Sequence, residues 1–284
     1  MEFTGIHHPG YREFLDGLYW IQECIVRSPT SEQDESDLPS WYDVGHELHG
    51  NQNAYLIDGD DSLLFDTLTP ASEEHIVETV DRILDGAPLD YLAISHPEAN
   101  HAGNTVALLE RYPDVTVIAP KYGSEHELYH LGNDIQYVGA GDTLDLGQRE
   151  VSFHQPQFYD HAMHIWMREE TTGTLFTVDW LGYQHIGGDC LRCADELTYP
   201  VSDDQLIRFN SFAFPWLAFA NTEKTDRAVD AVIDQHDPNH IAPAHGQVIL
   251  EEPAQYLEQM KRVMEQISEQ HQLNVRDNLD DIHV

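Results

Sequence analysis

A short apolar run, Tyr91–Ser95, leads directly into the polar segment His-Pro-Glu-Ala-Asn-His at positions 96–101. The run is typical of a buried strand, and the segment after it of a strand-to-helix turn. Such a turn can direct several side chains into one pocket, here those of His96, Glu98, Asn100 and His101. Imidazole binds zinc, iron, nickel and copper, whereas carboxylate favours harder ions such as iron and manganese. The segment therefore predicts a metal site; the alternative is a polar loop with two solvated histidines.

Two further polar side chains stand at the ends of predicted strands. Asp179 follows Thr174–Val178, and His245 follows Ile241-Ala-Pro-Ala and precedes Gly246. A carboxylate at the carboxyl end of a strand in an α/β protein normally faces the functional edge of the sheet. Taken singly, the aspartate is also consistent with a turn cap and the histidine with a turn residue. Three predicted strands that each end in a possible metal ligand, His96, Asp179 or His245, favour a single shared site.

Predicted strands and helices alternate along the chain in two comparable halves. The spacing of apolar residues predicts helices over 71–85, 225–236 and 253–270. This alternation favours an α/β layer structure with helices outside packed sheets. Because no linker or low-complexity segment divides the halves, we expect one domain over residues 1–271, followed by a disordered acidic tail at 272–284.

The charge of the chain excludes two classes of partner. There are 51 Asp and Glu residues against 14 Lys and Arg, a formal net charge of −37. Binding to nucleic acid or to an anionic membrane surface needs clustered basic residues, so neither is expected. Self-repulsion at this charge is relieved by salt, which predicts a salt-requiring protein from a high-salt cytoplasm. The sequence has neither a long apolar run nor a signal-peptide pattern, and we expect a cytoplasmic location.

The order of these segments resembles the metallo-β-lactamase fold, an αββα four-layer sandwich. Glu98 stands where zinc hydrolases of that fold usually carry histidine. Glutamate at this position is typical of flavodiiron proteins and of shorter oxygen-binding diiron proteins without a flavin domain. The segments Asn51–Asp58 and Leu64–Thr67 are similar to the opening hairpin of that branch, and Phe212–Pro215 to a later helical segment. The resemblance covers roughly residues 15–265 and implies that the chain lacks the flavodoxin domain.

The resemblance also implies a ligand set for two metal ions, iron first with zinc and manganese as alternatives, and no flavin held by this chain. His96, Glu98 and His101 would be ligands, Asp179 would bridge the two ions, and His245 would complete the second set. One more histidine comes from a His-rich segment that holds His154, His161 and His164. His161 is the first choice because it precedes Asp179 by the spacing expected for a hairpin. His164 ranks second because it is expected within the following strand, and His154 ranks third.

Asn100 is the departure from this pattern, because the family has aspartate at the corresponding position. A carboxamide oxygen is a neutral and weaker ligand than a carboxylate. With Glu98 and Asp179 as its carboxylates, the site would hold less negative charge. We therefore expect weaker occupancy of one metal position, or a higher reduction potential, and more bound metal in an Asn100→Asp variant.

Other histidines and cysteines carry weaker signals. His46 and His49 precede the opening hairpin, where a histidine can donate a hydrogen bond to bound oxygen, although an exposed polar turn is the favoured interpretation. Cys190 and Cys193 form a single C-x-x-C, which is either a redox pair near the metal edge or, as we favour, two reduced thiols. A zinc ribbon needs two such pairs, and the chain has one further cysteine, Cys24.

The resemblance implies a non-haem diiron protein that binds O₂ or NO and reduces it. Without a flavin domain its electrons would come from a separate flavoprotein or a rubredoxin-like protein, and a homodimer is compatible with the family. Two alternatives remain open at this point. One is a metal-dependent hydrolase of the same fold, in which a metal-bound hydroxide attacks an ester, thioester or lactam. The other is a non-catalytic oxygen or redox sensor.

Overall fold

The computed structural model describes residues 2–28, 46–121 and 135–279, with side chains as far as residue 269. Within these ranges the chain forms two β-sheets flanked by helices. The strands are β1 (Glu2–Leu15), β2 (Leu18–Ser28), β3 (Leu48–Ile57), β4 (Leu63–Phe65), β5 (Tyr91–Ala93), β6 (Thr116–Pro120), β7 (Ile135–Val138), β8 (Thr143–Asp145), β9 (Glu150–His154), β10 (Trp166–Glu169), β11 (Thr174–Val178), β12 (His185–Ile186) and β13 (His240–Pro243). The helices are α1 (Glu73–Leu84), α2 (Ala99–Ala102), α3 (Thr105–Arg111), α4 (Asp203–Ala213), α5 (Thr222–His236) and α6 (Pro253–Leu279).

The first sheet follows the order of the chain from β1 to β7, and β12 pairs with β3. Its strands are antiparallel from β1 to β4 and parallel from β4 to β7. The second sheet has the order β13-β11-β10-β9-β8, and its only parallel pair in the described residues joins β11 to β13. Each sheet therefore has parallel strands whose carboxyl ends meet at one edge.

Alternation along the strands of the first sheet divides the core into two layers. On β3 and β4, Tyr55 and Phe65 point towards the second sheet, whereas Leu56 and Leu64 point outwards to meet helix α1. Helix α5 and helix α6 bury Val229 and Met260 in the same cluster as the residues between the sheets. Helices thus lie outside both sheets, which confirms the predicted αββα sandwich.

Most predicted elements lie within a few residues of their expected positions, but His164 does not. We expected it within a strand, and that prediction was wrong because β10 begins at Trp166, paired with the last residue of β9, His154. His164 lies beyond the end of β9 and has no strand to pair with. Helix α6 continues to Leu279, whereas residues 280–284 lie outside the described part, so the tail stays a prediction. Among the described residues no helix is long and apolar enough to span a membrane.

Candidate metal centre

The carboxyl ends of the parallel strands bring the predicted site together. Asp66 follows β4, His96 follows β5, Asp179 follows β11, and His245 follows β13. Because parallel strands in one sheet end at the same edge, each sheet contributes two polar side chains to the cleft between them. His101 joins them from the short helix α2, one turn after His96.

Asp179 lies at the middle of this cluster and is almost completely buried. Its Oδ1 lies 2.8 Å from Nε2 of His245 and 3.6 Å from Nε2 of His101, and its Oδ2 lies 3.6 Å from Nε2 of His96. Val178, just before it, has φ of 53°, a conformation that is costly for a β-branched residue. This strained backbone turns the carboxylate away from the strand, so that both oxygens face imidazoles from the first sheet.

A second carboxylate, Asp160, approaches His96 from the turn after β9. Its Oδ2 lies 3.7 Å from Nε2 of His96, and Oε2 of Glu98 lies 3.9 Å from the same nitrogen. These three residues have ligand atoms within 4.8 Å of one another, as do His96, His101 and Asp179. Asp160 was not among the predicted site residues, although it directly precedes the favoured histidine, His161.

The histidines of the 154–164 segment take different positions. Nδ1 of His164 donates a hydrogen bond to Oδ1 of Asp160 at 2.9 Å. His164 also forms a third close group with Asp160 and Asp179. The ring of His161 stacks near that of His96 with a centroid distance of 5.9 Å. His154 contacts Ser152 and the ring of His236 instead. The choice between His161 and His164 as a ligand remains a prediction.

Asn100 lies beside His245, with its Nδ2 atom 3.2 Å from Nε2 of that histidine. The carboxamide therefore occupies the side of the cluster that His101 and His245 share. The rings of those two histidines stand edge to face, with centroids 5.3 Å apart. Asn100 and Asp160 thus lie on different sides of Asp179, next to different histidines.

Residues behind the cluster fix the orientation of its imidazoles. Nδ1 of His101 lies 2.8 Å from Oδ2 of Asp66, and Nδ1 of His245 lies 3.1 Å from the backbone oxygen of Asn51. The hydroxyl of Ser95 donates to Asp66 and lies 3.1 Å from Nδ1 of His96. Each histidine is therefore held through Nδ1 and presents Nε2 to the centre. Asp66 was expected as part of a hairpin, and this orienting role was missed because it depends on a contact between residues 35 positions apart.

The electrostatics of the cluster depend on Asp179. Burial would raise the pKa of Asp179, but the imidazoles of His101, His245 and His96 hold it well below its ordinary value. Burial lowers the pKa of His101, yet the carboxylates of Asp179 and Asp66 outweigh burial and raise it well above its ordinary value. A cation placed among these groups would take over the role of the imidazolium, so its binding would release a proton.

Four buried polar atoms of the cluster have no hydrogen-bond partner: Nε2 of His96, of His101 and of His164, and Oδ2 of Asp179. Buried polar atoms are normally satisfied, and each such orphan needs a physical explanation. All four belong to the residue groups gathered around Asp179. A set of imidazole nitrogens and carboxylate oxygens without thiolate fits iron or manganese better than a soft ion. The residues therefore fit a metal centre.

A cavity of about 330 Å³ opens next to His245. Its walls include Phe209, whose ring lies 5.1 Å from that of His245, and two arginines, Arg27 and Arg208. Burial and the neighbouring Arg27 lower the pKa of Arg208. The cavity gives small molecules a route to one side of the cluster, and its two cations contrast with the acidic composition of the chain.

His49 and Cys190 are close to each other but belong to a different cluster. The Sγ atom of Cys190 lies 3.3 Å from Nδ1 of His49 and 3.8 Å from Sγ of Cys24. Cys193 lies outside this cluster, and all three cysteines are free thiols, as favoured for Cys190 and Cys193 from the sequence. Cys193 is instead buried near Arg12 and Glu196, and burial raises its pKa to about 12.

Comparison with known proteins agrees with this geometry. Residues 49–255 match the metallo-beta-lactamase superfamily. The nitric oxide reductase of Moorella thermoacetica is 28% identical over 258 residues, which cover 87% of this chain and 59% of that protein. The rubredoxin oxygen:oxidoreductase of Desulfovibrio gigas superposes with a TM-score of 0.63 at 20% identity, over 92% of this chain and 61% of its own. The flavodiiron protein of Giardia intestinalis superposes with a TM-score of 0.67 at 19% identity, over 92% of this chain and 60% of its own.

This chain spans about three fifths of the length of those relatives. The part that it matches holds the two sheets, the strand-end histidines and the central aspartate described above. The chain belongs to the metallo-beta-lactamase superfamily, and its relatives within that superfamily are flavodiiron proteins.

Proposed function

We propose that this protein holds two iron ions around Asp179 and uses them to bind O₂ or NO and reduce it. The observation that carries the proposal is the convergence of unpartnered imidazole nitrogens on one buried carboxylate, in a set rich in carboxylates and free of thiolates. Relatives named for nitric oxide reduction and for oxygen reduction with rubredoxin support the same chemistry. Bound iron would supply the open coordination positions and the electrons for the diatomic ligand.

Two groups of ligands follow from the contacts around Asp179. His96, Glu98 and Asp160 would hold one ion, and His101 and His245 the other, with Asn100 beside them and Asp179 shared by both. His161 and His164 are the further candidates on the first side. Asp160 changes the expected charge of the site, because its carboxylate makes up for the one that is missing at Asn100. The centre would then contain three carboxylates in place of two.

The chain's own residues orient the ligands and limit access to them. Asp66 and the backbone oxygen of Asn51 hold Nδ1 of His101 and of His245, so Nε2 of each faces Asp179, where it would bind metal. Phe209 shields one face of His245 from bulk water. Glu98 is the exposed member of the set, with a side chain that is 48% accessible, so electrons from a partner would enter most directly on its side.

The electron donor would be a separate protein, either a flavoprotein or a rubredoxin-like protein. A relative that is named for rubredoxin supports this assignment. The acidic composition of the chain also supports a cytoplasm with high salt, because salt screens the repulsion between a strongly charged protein and a charged donor.

The test is metal analysis followed by turnover, on protein purified anaerobically in high KCl. We expect about two irons per chain and consumption of NO or O₂ when a chemically reduced flavodoxin or rubredoxin is added. An Asp179→Ala variant should lose both properties, whereas Asp114→Asn, which removes an exposed carboxylate after α3, should keep them.

Zinc at this site together with chelator-sensitive ester hydrolysis would overturn the proposal in favour of a hydrolase. A reversible spectral change with O₂ and no consumption of it would instead indicate a sensor. The two results are distinguished by the same two measurements, metal identity and turnover.

A further inference from the structure

A second group of metal-ligating side chains lies apart from the one around Asp179. Cys24, His49, His185 and Cys190 each offer one ligand atom, and these four atoms lie within 4.8 Å of one another. Cys24 and His185 are completely buried, and His49 is 5% exposed. None of the four residues belongs to the candidate iron centre.

The register of the first sheet places three of these residues on one face. His49 on β3 is directly opposite His185 on β12. Cys24 on β2 is opposite Asn51, two residues along β3 from His49, and alternate residues of a strand share a face. Three adjacent strands therefore present two imidazoles and one thiol as neighbours, with the remaining side open.

The turn after β12 closes that open side with Cys190. Leu191, the next residue, has φ of 58°. Its backbone nitrogen donates to Oε1 of Gln22 at 3.0 Å, and its backbone oxygen accepts from Nη1 of Arg12 at 3.0 Å. These two contacts fix the turn against β1 and β2, so the Cys190 thiol is held over the other three side chains.

The distances match the edges of a tetrahedron around a metal ion. With a Zn–S bond of about 2.3 Å, two sulfur ligands should lie about 3.8 Å apart, and a sulfur and a nitrogen ligand about 3.5 Å apart. Sγ of Cys24 and Sγ of Cys190 are 3.8 Å apart. Sγ of Cys190 lies 3.5 Å from Nε2 of His185 and 3.3 Å from Nδ1 of His49. A disulfide would instead require about 2.05 Å between the two sulfurs.

The charges of the group also fit a divalent ion. Two thiolates and two neutral imidazoles around a divalent cation carry no net charge, which suits a buried site. Oε2 of Glu47 lies 3.9 Å from Nε2 of His49, on the opposite side of that ring from Cys190, where it can hold the histidine in place.

We propose that Cys24, His49, His185 and Cys190 bind one zinc ion in a closed structural site. Four protein ligands leave no position for water or substrate, so the ion would stabilise the fold rather than catalyse a reaction. It would fasten β12 and the following turn to β2 and β3. The softness of the thiolates selects zinc here, in contrast to the carboxylates around Asp179.

The test compares metal content and cobalt spectra in cysteine variants. We expect wild-type protein to contain about one zinc per chain, and Cys24→Ser and Cys190→Ser to lose it without losing iron. Cys193→Ser is the matched control, because Cys193 is equally buried but lies outside the group. Cobalt added to zinc-depleted protein should give thiolate-to-metal charge-transfer bands in the wild type and in the Cys193→Ser variant.

A measurement on the unmodified protein covers the case in which a variant fails to fold. Titration of the native wild type with an organomercurial should release zinc in step with the modification of two of its three cysteines. Zinc that persists in both Cys24→Ser and Cys190→Ser would belong to the other centre and would refute the proposal. A Cys24–Cys190 disulfide found by mass spectrometry, or wild-type protein without zinc and without cobalt–thiolate bands, would refute it equally.

Discussion

The iron centre has a carboxylate at Asp160 and a neutral carboxamide at Asn100, and this difference gives its sharpest test. Burial raises the pKa of Asp160, but the hydrogen bond from His164 and the charges of His96 and His164 together lower it below its ordinary value, so this group is ionised at neutral pH. Its Oδ2 lies 3.7 Å from Nε2 of His96. If Asp160 supplies the charge that Asn100 removes, replacing it with asparagine should weaken metal binding on its side of Asp179.

The size of the effect follows from the distance. A carboxylate about 4 Å from a divalent ion is attracted to it by about 8 kcal/mol at an effective dielectric constant of about 20. Part of this attraction offsets the cost of removing water from the carboxylate, so a net loss of about 2.7 kcal/mol is reasonable for Asp160→Asn. Because 1.4 kcal/mol corresponds to a factor of ten, we expect the affinity for Fe²⁺ at that position to fall about 100-fold.

The assay is an anaerobic competition titration of Fe²⁺ against a chelator of known affinity. The Asp160→Asn/Asn100→Asp double variant keeps the total charge and should recover part of the lost affinity. Asp114→Asn, an exposed carboxylate away from the centre, controls for the change in overall charge. An Asp160→Asn variant that binds both irons as tightly as the wild type would refute the reasoning.

Three further predictions concern the surroundings of the site. Asp66→Asn should weaken metal binding about 10- to 100-fold in the same titration, because the amide no longer fixes the tautomer of His101; unchanged affinity would show that Asp66 has no orienting role. Burial and His154 lower the pKa of His236 from 6.5 to about 4. As the pH falls, His236 is therefore protonated in the unfolded chain before it is protonated in the folded protein. The free energy of unfolding, measured with urea, should drop by about 2 kcal/mol between pH 6.5 and 4 after allowance for solvent screening. A His236→Gln variant should lack that drop, and an equal drop would exclude His236 as its source. Refolding midpoints should rise with added KCl, because salt screens the net charge of −37; a flat dependence would contradict a salt-requiring fold.

The parts of the site that the sequence could predict are those carried by short, continuous segments. A strand that runs into His96-Pro-Glu-Ala-Asn-His101 brings its own geometry, because the strand end and the first turn of α2 fix where the histidines point. The same holds for Asp179 after β11 and for His245 after β13. In each case local hydrophobic patterning identifies the strand, and the strand end identifies the functional edge.

The parts of the two sites that the sequence could not predict depend on contacts between distant segments. Asp66 and His101 are 35 residues apart, and Cys24 and Cys190 are 166 residues apart. The spacing of residues within a short segment cannot identify contacts between residues so far apart in the sequence. The C-x-x-C spacing therefore gave no sign of Cys24, which the register of β2, β3 and β12 places near Cys190.

The ligand within the 154–164 segment could not be chosen from the sequence for a different reason. Its chain leaves β9 at His154 and joins β10 at Trp166, and the residues between have no strand partners to set their direction. Spacing to Asp179 ranks His161 first, but spacing alone does not determine which side chain turns inwards. The contacts of Asp160 with His96 and with His164 depend on how this loop folds against the strand end of the other sheet.

The two clusters share strand β3, and this explains how one chain could keep two metals apart. His49 faces the cysteines, while the backbone oxygen of Asn51, two residues on, holds Nδ1 of His245. Asn51 and Asn53 also donate to the backbone oxygen of Gly246 at 2.8 and 2.7 Å, which ties the β13 end to the same strand. The thiols of Cys24 and Cys190 lie beside His49, whereas the carboxylates of Asp160 and Asp179 lie beside His96 and His245. Ligand softness would therefore direct zinc and iron to different positions, although a single strand aligns both sites. A zinc ion at the cysteines would then fix the stretch of β3 that orients His245, so that the structural site supports the iron centre without contributing a ligand to it.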